Sequence, residues 1–220
     1  MLCWRSQGLN KINNSSKKKS GAEAKNDDRR KKRLPKKATP KHLERVGLYY
    51  LERYASSAEN LRRVLMRRVE RSARAHDTDR DEGAEVIDGI IQRFQEWGYL
   101  DDKAYAEMRA ASLFRRGTSR RGIRYQLSMK GVSGDAIDAA LERVFEYDVD
   151  PDRRAAIAYA RRRRIGPWRK DNRETFRDRD LAALGRQGFA YGIARWIVEA
   201  DSPEACEASL SDDERECFEH

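Results

Sequence analysis

A nine-residue segment occurs three times in this 220-residue chain, and the repeat narrows the folds that the sequence can adopt. The copies read VIDGIIQRF over 86–94, AIDAALERV over 136–144 and, more weakly, GIARWIVEA over 192–200. In the first copy Ile87 and Ile91 are four positions apart, and the other copies carry apolar residues at the same two positions. This spacing puts both residues on one side of a helix, so each copy is predicted to be helical.

The segment before each of the first two copies also recurs. SSAENLRRVLMRR over 56–68 matches TSRRGIRYQLSMK over 118–130. Each begins with a serine, Ser57 or Ser119, whose hydroxyl can accept hydrogen bonds from the free N–H groups at a helix start. The second segment is followed by Gly131, a residue that readily takes the left-handed conformation that ends helices. Both segments are therefore predicted to be helices.

A further helix is expected at the start of each of the three units, over 41–55, 101–116 and 151–164. Abundant Ala, Arg, Glu and Leu, with few β-branched runs, favour helix over strand in these regions. One three-helix unit of this length cannot enclose its own apolar faces, so neighbouring units should stack. We predict an all-α fold of three tandem three-helix repeats forming an elongated, curved body, with polar linkers over 75–83 and 166–174.

The sequence WGYLDD joins the first two predicted repeats. Gly98 should end one helix, and Asp101 or Asp102 should cap the next. Tyr99 and Leu100 are expected to pack at the seam between repeats. Phe94 and Trp97 are also expected to be packed rather than to stack on a ligand, because large apolar side chains at helical spacing are usually core residues.

The charge is concentrated at the two ends of the chain. Residues 1–41 hold 14 Lys and Arg against 3 Asp and Glu, whereas residues 199–220 hold 1 against 9. Neither end has enough apolar residues to offset the chain entropy lost on folding, so both are predicted to be disordered. The basic arm is either an electrostatic contact for nucleic acid or a solubilising tail. The expected division is an arm over 1–40, modules over 41–100, 101–150 and 151–200, and an acidic tail over 201–220.

The sequence lacks the residues that several classes of protein need for their function. Cys3, Cys206 and Cys217 lie near the ends without CxxC spacing, and three scattered histidines favour neither a metal site nor a catalytic triad. No phosphate-binding loop of the GxxxxGK[ST] type occurs. No apolar run approaches the ~20 residues that span a bilayer, and no secretory stretch follows Met1. We expect a cytoplasmic, monomeric binding protein that is not an enzyme and has no cofactor, metal or membrane partner.

Three segments together resemble the RecX family, the bacterial regulators of the RecA recombinase. They are GYLDDKAYAE over 98–107, FRRGTSRRGIRYQLSMKGV over 114–132 and AIDAALE over 136–142, with a looser match over 180–199. The resemblance implies a three-repeat helical protein that lies in the groove of the RecA filament and limits recombination, without catalytic residues. The long basic arm departs from the usual pattern and makes a direct DNA contact more plausible here.

Arginines are the candidate contact residues, because the planar guanidinium donates two parallel hydrogen bonds to phosphate or carboxylate groups. The densest group lies before and within the second helix of the middle module, and smaller groups lie in the other two modules. The candidates for partner binding are Arg115, Arg116, Arg120, Arg121, Arg124, Arg63, Arg67 and Arg162. For each of them the alternative is a solvated helix face without a partner.

Two other functions stay open at this stage. A free-standing DNA-binding protein would use the basic arm and the arginine-rich helices, and its DNA affinity would fall with salt in the absence of recombinase. A helical-repeat scaffold for an unrelated partner would recover no recombinase in a pull-down. The leading interpretation is a regulator that occupies the filament groove through many weak contacts.

Overall fold

The computed structural model describes the backbone of residues 34–218 and the side chains of residues 34–210. Within this range the chain is all-α, as predicted, with no strand and with one 3₁₀ helix at Gly166–Trp168. None of the helices described there has the length and apolarity of a bilayer span. The α-helices are α1 (Pro40–Leu51), α2 (Ala58–Ala73), α3 (Arg80–Glu96), α4 (Asp102–Arg115), α5 (Arg120–Ser128), α6 (Gly134–Phe145), α7 (Pro151–Arg163), α8 (Arg173–Arg186), α9 (Tyr191–Glu199) and α10 (Pro203–Phe218).

Short polar side chains fix where most of these helices begin. The Ser119 hydroxyl accepts a hydrogen bond from the Gly122 N–H at 3.0 Å, which satisfies one of the free donors at the start of α5. Ser57 caps α2 and Asp101 caps α4 in the same way. These three caps are those that the sequence predicts.

The helices form three consecutive triplets, each around a hydrophobic cluster of its own. The first triplet is α1–α3, the second α4–α6 and the third α7–α9, so the three-helix repeat predicted from the sequence is present. Phe114, at the end of α4, packs against the second and third clusters and connects them. The largest fully buried side chains are Leu43, Leu61, Leu65, Ile87, Ile90 and Phe94 in the first triplet, Ile123, Leu127, Ile137 and Leu141 in the second, and Leu184 and Ile197 in the third.

The repeated nine-residue segment supplies the last helix of each triplet. In the second copy both apolar positions, Ile137 and Leu141, are buried. In the first copy Ile87 is buried and Ile91 is half-buried, and in the third copy Ile197 is buried. The periodicity in the sequence therefore marks the side of the helix that faces each cluster.

The predicted linker over 75–83 is shorter than expected. Helix α3 begins at Arg80 because the Asp79 carboxylate accepts the N–H groups of Asp81 and Glu82. Gly83 is then buried against α2, where a Cβ atom would lie 2.6 Å from Cγ1 of Val69. The polar residues of this segment lie on the exposed side of the first turn of α3, and their polarity makes this turn resemble a linker in the sequence.

The predicted linker over 166–174 also contains regular structure. It holds the 3₁₀ helix, and α8 begins at Arg173. The Gly166 N–H donates to the buried Asp180 carboxylate at 3.3 Å. The segment is therefore fixed to α8 rather than being a free connection.

Two of the aromatic residues that are predicted to be packed are on the surface. Trp97 is 54% exposed and Tyr99 is 57% exposed, whereas Phe94 and Leu100 are buried in the first cluster. The reason is the turn after α3, in which Gly98 has a φ of 73° and the Leu100 N–H bonds back to the Phe94 carbonyl at 3.1 Å. This turn directs Leu100 inward and leaves the rings of Trp97 and Tyr99 outside, in edge contact with centroids 6.0 Å apart.

The acidic segment after residue 200, predicted to be disordered, forms helix α10 instead. Cys206 on this helix is 1% exposed and belongs to the third cluster, with Leu210 one turn later partly buried against it. The apolar pair at i and i+4 is short, but it gives this helix a face to bury. The composition of the segment as a whole conceals that face.

The chain before α1 is attached to the first triplet from residue 35 onward. The Ala38 N–H donates to the Ser72 hydroxyl at 2.9 Å, and the His76 ring nitrogen Nε2 lies 2.6 Å from the Pro35 carbonyl oxygen. The prediction of a disordered arm over 1–40 is thus too long at its end. Residues 1–33 lie outside the described part of the chain.

Candidate interaction surface

The turn between α4 and α5 places the densest group of candidate arginines. Helix α4 ends at Arg115, and Gly117 follows with a φ of 74°. A Cβ at Gly117 would lie 2.4 Å from the backbone nitrogen of Tyr159, so this turn is pressed directly against α7 of the third triplet. Arg115 and Arg116 are exposed beside this junction.

Two of the candidates on α5 are occupied within the protein. Arg124 forms an ion pair with Asp138 on α6, and its hydrogen bond to that carboxylate lowers the pKa of Asp138. The guanidinium of Arg120 lies 5.6 Å from the centre of the Phe145 ring, and its backbone N–H donates to Asp152. A partner would have to compete with Asp138 for the Arg124 side chain, whereas the Arg120 guanidinium would give up only a ring contact.

Three candidates of the second triplet are exposed and have neither an ion-pair partner nor a ring contact among the described residues. They are Arg115, Arg116 and Arg121. Arg115 also lines an open groove of about 490 Å³ between α4 and α6, in which Met108 is exposed. The other residues that line this groove are Glu107, Ala111, Phe114, Arg143 and Val144. The groove combines apolar side chains with a free guanidinium, a combination that suits a protein partner.

In the first triplet, Arg63 and Arg67 differ in their surroundings. The Arg63 side chain donates to Glu59 at 2.9 Å and to the Met129 carbonyl at 2.8 Å. Arg63 thus connects α2 to the end of α5 and has a structural contact. Arg67, one turn later, is exposed, and its side chain has no ion pair within the described range.

Arg162 lies in the run of four arginines that ends α7. It is exposed, with its guanidinium 5.8 Å from the centre of the Tyr159 ring. Its neighbour Arg161 points elsewhere and pairs with Glu207 of α10 at 3.5 Å. Arg164 takes a left-handed conformation with a φ of 54° and ends the helix. The four side chains therefore diverge, as the sequence predicts for consecutive residues of a helix.

Neighbouring triplets are connected by a repeated hydrogen-bonded joint, which sequence reasoning missed. The Ser119 hydroxyl donates to the Gln187 carbonyl at 2.7 Å, and the Ser57 hydroxyl donates to the Lys130 carbonyl. In both cases the accepting residue directly precedes a left-handed glycine. The aligned serines, each matched by a helix stop in the next triplet, were the only sign of this joint in the sequence.

A carboxylate completes each joint. Asp102 at the start of α4 accepts the Ala58 N–H at 2.8 Å, and Asp152 near the start of α7 accepts the Arg120 N–H at 2.7 Å. The third triplet does not offer the same arrangement. Asn172, the residue before its helix α8, has a φ of 57° and makes no side-chain cap.

Two curated relatives of the chain are both named regulatory protein RecX. It is 38% identical over 169 residues to the regulatory protein RecX of Myxococcus xanthus (strain DK1622), covering 76% of this chain and 89% of that protein. It is 31% identical over 170 residues to the regulatory protein RecX of Agrobacterium fabrum (strain C58 / ATCC 33970), covering 75% and 85%. Both alignments extend over most of the described helices.

A family model and a solved structure agree with these relatives. The model described as RecX, second three-helix domain, matches residues 101–141, which contain α4, α5 and most of α6. A crystal structure of regulatory protein RecX has the same fold, with a TM-score of 0.52 over 73% of this chain and 72% of that chain, at 19% identity. By its similarity to relatives over most of their length, the chain belongs to the RecX family of regulatory proteins.

Proposed function

We propose that this RecX-family regulator binds the filament of the RecA recombinase and lowers its recombination and ATPase activities in DNA repair. Membership in the RecX family favours this target, and one observation in this chain supports a binding role. Arg115, Arg116 and Arg121 are exposed beside a junction of triplets and have no carboxylate partner in the described range. Unpaired guanidiniums retain their full capacity to bind acidic side chains or phosphates.

The mechanism that we propose is occupation of the filament groove. The three modules, over 41–100, 101–150 and 151–200, would each contribute weak contacts. Their linkage would make the total affinity much higher than that of any one module. The hydrogen-bonded joints favour this mechanism because they hold consecutive triplets in a defined relation, which reduces the entropy lost on binding.

The eight candidate arginines should not contribute equally. Arg115, Arg116, Arg121 and Arg67 are free to bind a partner, and Arg162 has only a ring contact. Arg120 likewise has only a ring contact, whereas Arg63 and Arg124 already have carboxylate partners within the protein. We therefore expect the first group to carry most of the affinity for the filament.

The test is a RecA ATPase and strand-exchange assay titrated with this protein. We expect the triple variant R115E/R116E/R121E to need at least about tenfold more protein for half-inhibition, because one charge-assisted hydrogen bond is worth more than the ~1.4 kcal/mol that a factor of ten requires. The matched control is R80E/K103E/K170E, which changes the charge equally at exposed positions outside the candidate set. Equal inhibition by the two folded variants would contradict the proposed contact residues.

A second candidate function is direct DNA binding through the basic arm. The 14 basic residues among the first 41 favour it, because each phosphate contact releases counterions. Removal of residues 1–33 tests it without touching Pro35 and Ala38, which contact the first triplet. Loss of salt-dependent DNA affinity with unchanged RecA inhibition would assign the arm to DNA and the body to the recombinase.

A further inference from the structure

The third triplet contains a cavity lined by arginines that are not among the candidate contact residues. It has a volume of about 330 Å³ and lies between the end of α7, the 3₁₀ turn and α8. Its walls are formed by Arg163, Ile165, Arg169, Phe176, Arg179, Asp180, Ala183 and Arg186. Four guanidiniums therefore surround the cavity, with a single carboxylate among them.

The carboxylate is neutralised by one of the four arginines. Asp180 is 3% exposed, and Arg169 donates to its two oxygens at 2.7 and 3.2 Å. The same guanidinium lies 4.4 Å from the centre of the Phe176 ring, which fixes its orientation. This pair forms a rigid side of the cavity whose charges cancel.

The other three arginines have no compensating carboxylate among the described residues. Arg179 and Arg186 are seven positions apart on α8 with Ala183 between them, so Arg179, Ala183 and Arg186 share one face of that helix. Arg163 approaches from the end of α7. Most other arginines of this triplet are ion-paired, as Arg177 and Arg195 are with Glu199. The cavity therefore concentrates a charge of about +3, which repels itself until an anion binds.

We propose that this cavity binds a multiply charged phosphate group. Arginine matches phosphate geometry through paired N–H donors, and three guanidiniums suit a terminal phosphate or a polyphosphate better than a single phosphodiester. The volume lies near the lower end of the range for small-ligand sites, which is about 300–1,000 Å³. Two sources offer this chemistry, a free nucleotide and the phosphorylated end of a nucleic acid strand.

Titration calorimetry of the full chain at about 0.15 M salt tests this proposal without recombinase, so its result is independent of the proposed function. The probes are inorganic tripolyphosphate, ATP, and one oligonucleotide with and without a 5′-phosphate. We expect saturable binding of tripolyphosphate. ATP binding would identify the nucleotide as the source, and a preference for the 5′-phosphorylated oligonucleotide would identify the strand end.

The variant R179Q/R186Q should lower tripolyphosphate affinity at least about tenfold, since it removes two charged donors. The matched control R68Q/R74Q removes two exposed arginines of the first triplet that have no ion pair within the described range, and it should stay within about twofold of the unaltered protein. If R179Q/R186Q does not fold, R163Q decides with the same expected direction. No saturable binding of any probe, or equal affinity in the cavity and control variants, would overturn the proposal.

Discussion

The hydroxyl of Ser119 donates a hydrogen bond to the backbone carbonyl of Gln187, 68 residues further along the chain, at a distance of 2.7 Å. The same hydroxyl accepts the Gly122 N–H at the start of α5. One side chain therefore begins a helix in the second triplet and holds the end of a helix in the third. The stability of the helix start and the attachment of the neighbouring triplet are coupled through this one oxygen.

Replacing Ser119 by alanine should lower the free energy of unfolding by about 1–3 kcal/mol, because the cap and the bond to the next triplet are lost together. Urea denaturation measures the change. The matched variant is S133A, which removes the cap of α6, a cap whose hydroxyl makes no bond to another triplet. S133A should cost about 1 kcal/mol or less. Equal losses in the two variants would show that the bond to Gln187 contributes nothing.

Substitution of Gly117 by alanine should be more damaging than substitution of Gly98. Both glycines have a φ near 73°, so alanine costs about 1 kcal/mol or more at either position. At Gly117 the new methyl group would also lie 2.4 Å from the Tyr159 backbone nitrogen, whereas nothing lies within 4 Å at Gly98. We expect G117A to exceed G98A by about 2 kcal/mol in urea denaturation. Similar values would show that the α4–α5 turn does not press on α7.

The Asp138 carboxyl should titrate below its ordinary range. The hydrogen bond from Arg124 lowers its pKa in the folded protein, so the pair stabilises the fold above the usual Asp value of about 3.9 and loses this contribution as the pH falls through the lowered pKa. Carboxyl-detected NMR titration of R124Q should show the midpoint of Asp138 shifting upward. An unchanged midpoint would mean that the ion pair does not form in solution.

Cys206 should react slowly with thiol reagents while the protein is folded. Burial raises the pKa of this thiol, so little thiolate is present at neutral pH, and the side chain is only 1% exposed. In a C3S/C217S background, labelling with an aromatic disulfide should need denaturant or the removal of α10 from the third cluster. Rapid labelling under native conditions would contradict the packing of α10 against α7.

Much of the helical scaffold is predictable because it depends on local patterns. Ser57, Ser119 and Asp101 precede apolar helical stripes, and they cap the helices that follow. The same reasoning misplaces the start of α3. Glycine weakens most helices, and the close packing of Gly83 against Val69, which requires a glycine there, is not visible in the sequence. Helix α10 is not predicted for a similar reason, since the buried side chains described on it, up to residue 210, are one apolar pair within an acidic segment.

The candidate surface is harder to read from the sequence, because an arginine is available only if no carboxylate reaches it. Arg121 and Arg124 are the same residue type, three positions apart on one helix, but Asp138 on another helix pairs with Arg124 alone. The cavity in the third triplet is also not predictable from the sequence, because its arginines come from distant positions. Arg163 and Arg186 are 23 positions apart, and only the fold of the third triplet, in which the 3₁₀ helix connects the end of α7 to α8, brings them to one cavity.

The start of α8 has a consequence for the length of the array. A joint between triplets needs a hydroxyl before the second helix of the earlier unit, and Asn172 occupies that place in the last unit without making a cap. A fourth unit added after residue 200 would find neither this donor nor an uncovered surface where Cys206 packs. The third triplet therefore lacks the hydroxyl donor of the other two joints, and α10 covers part of its hydrophobic cluster.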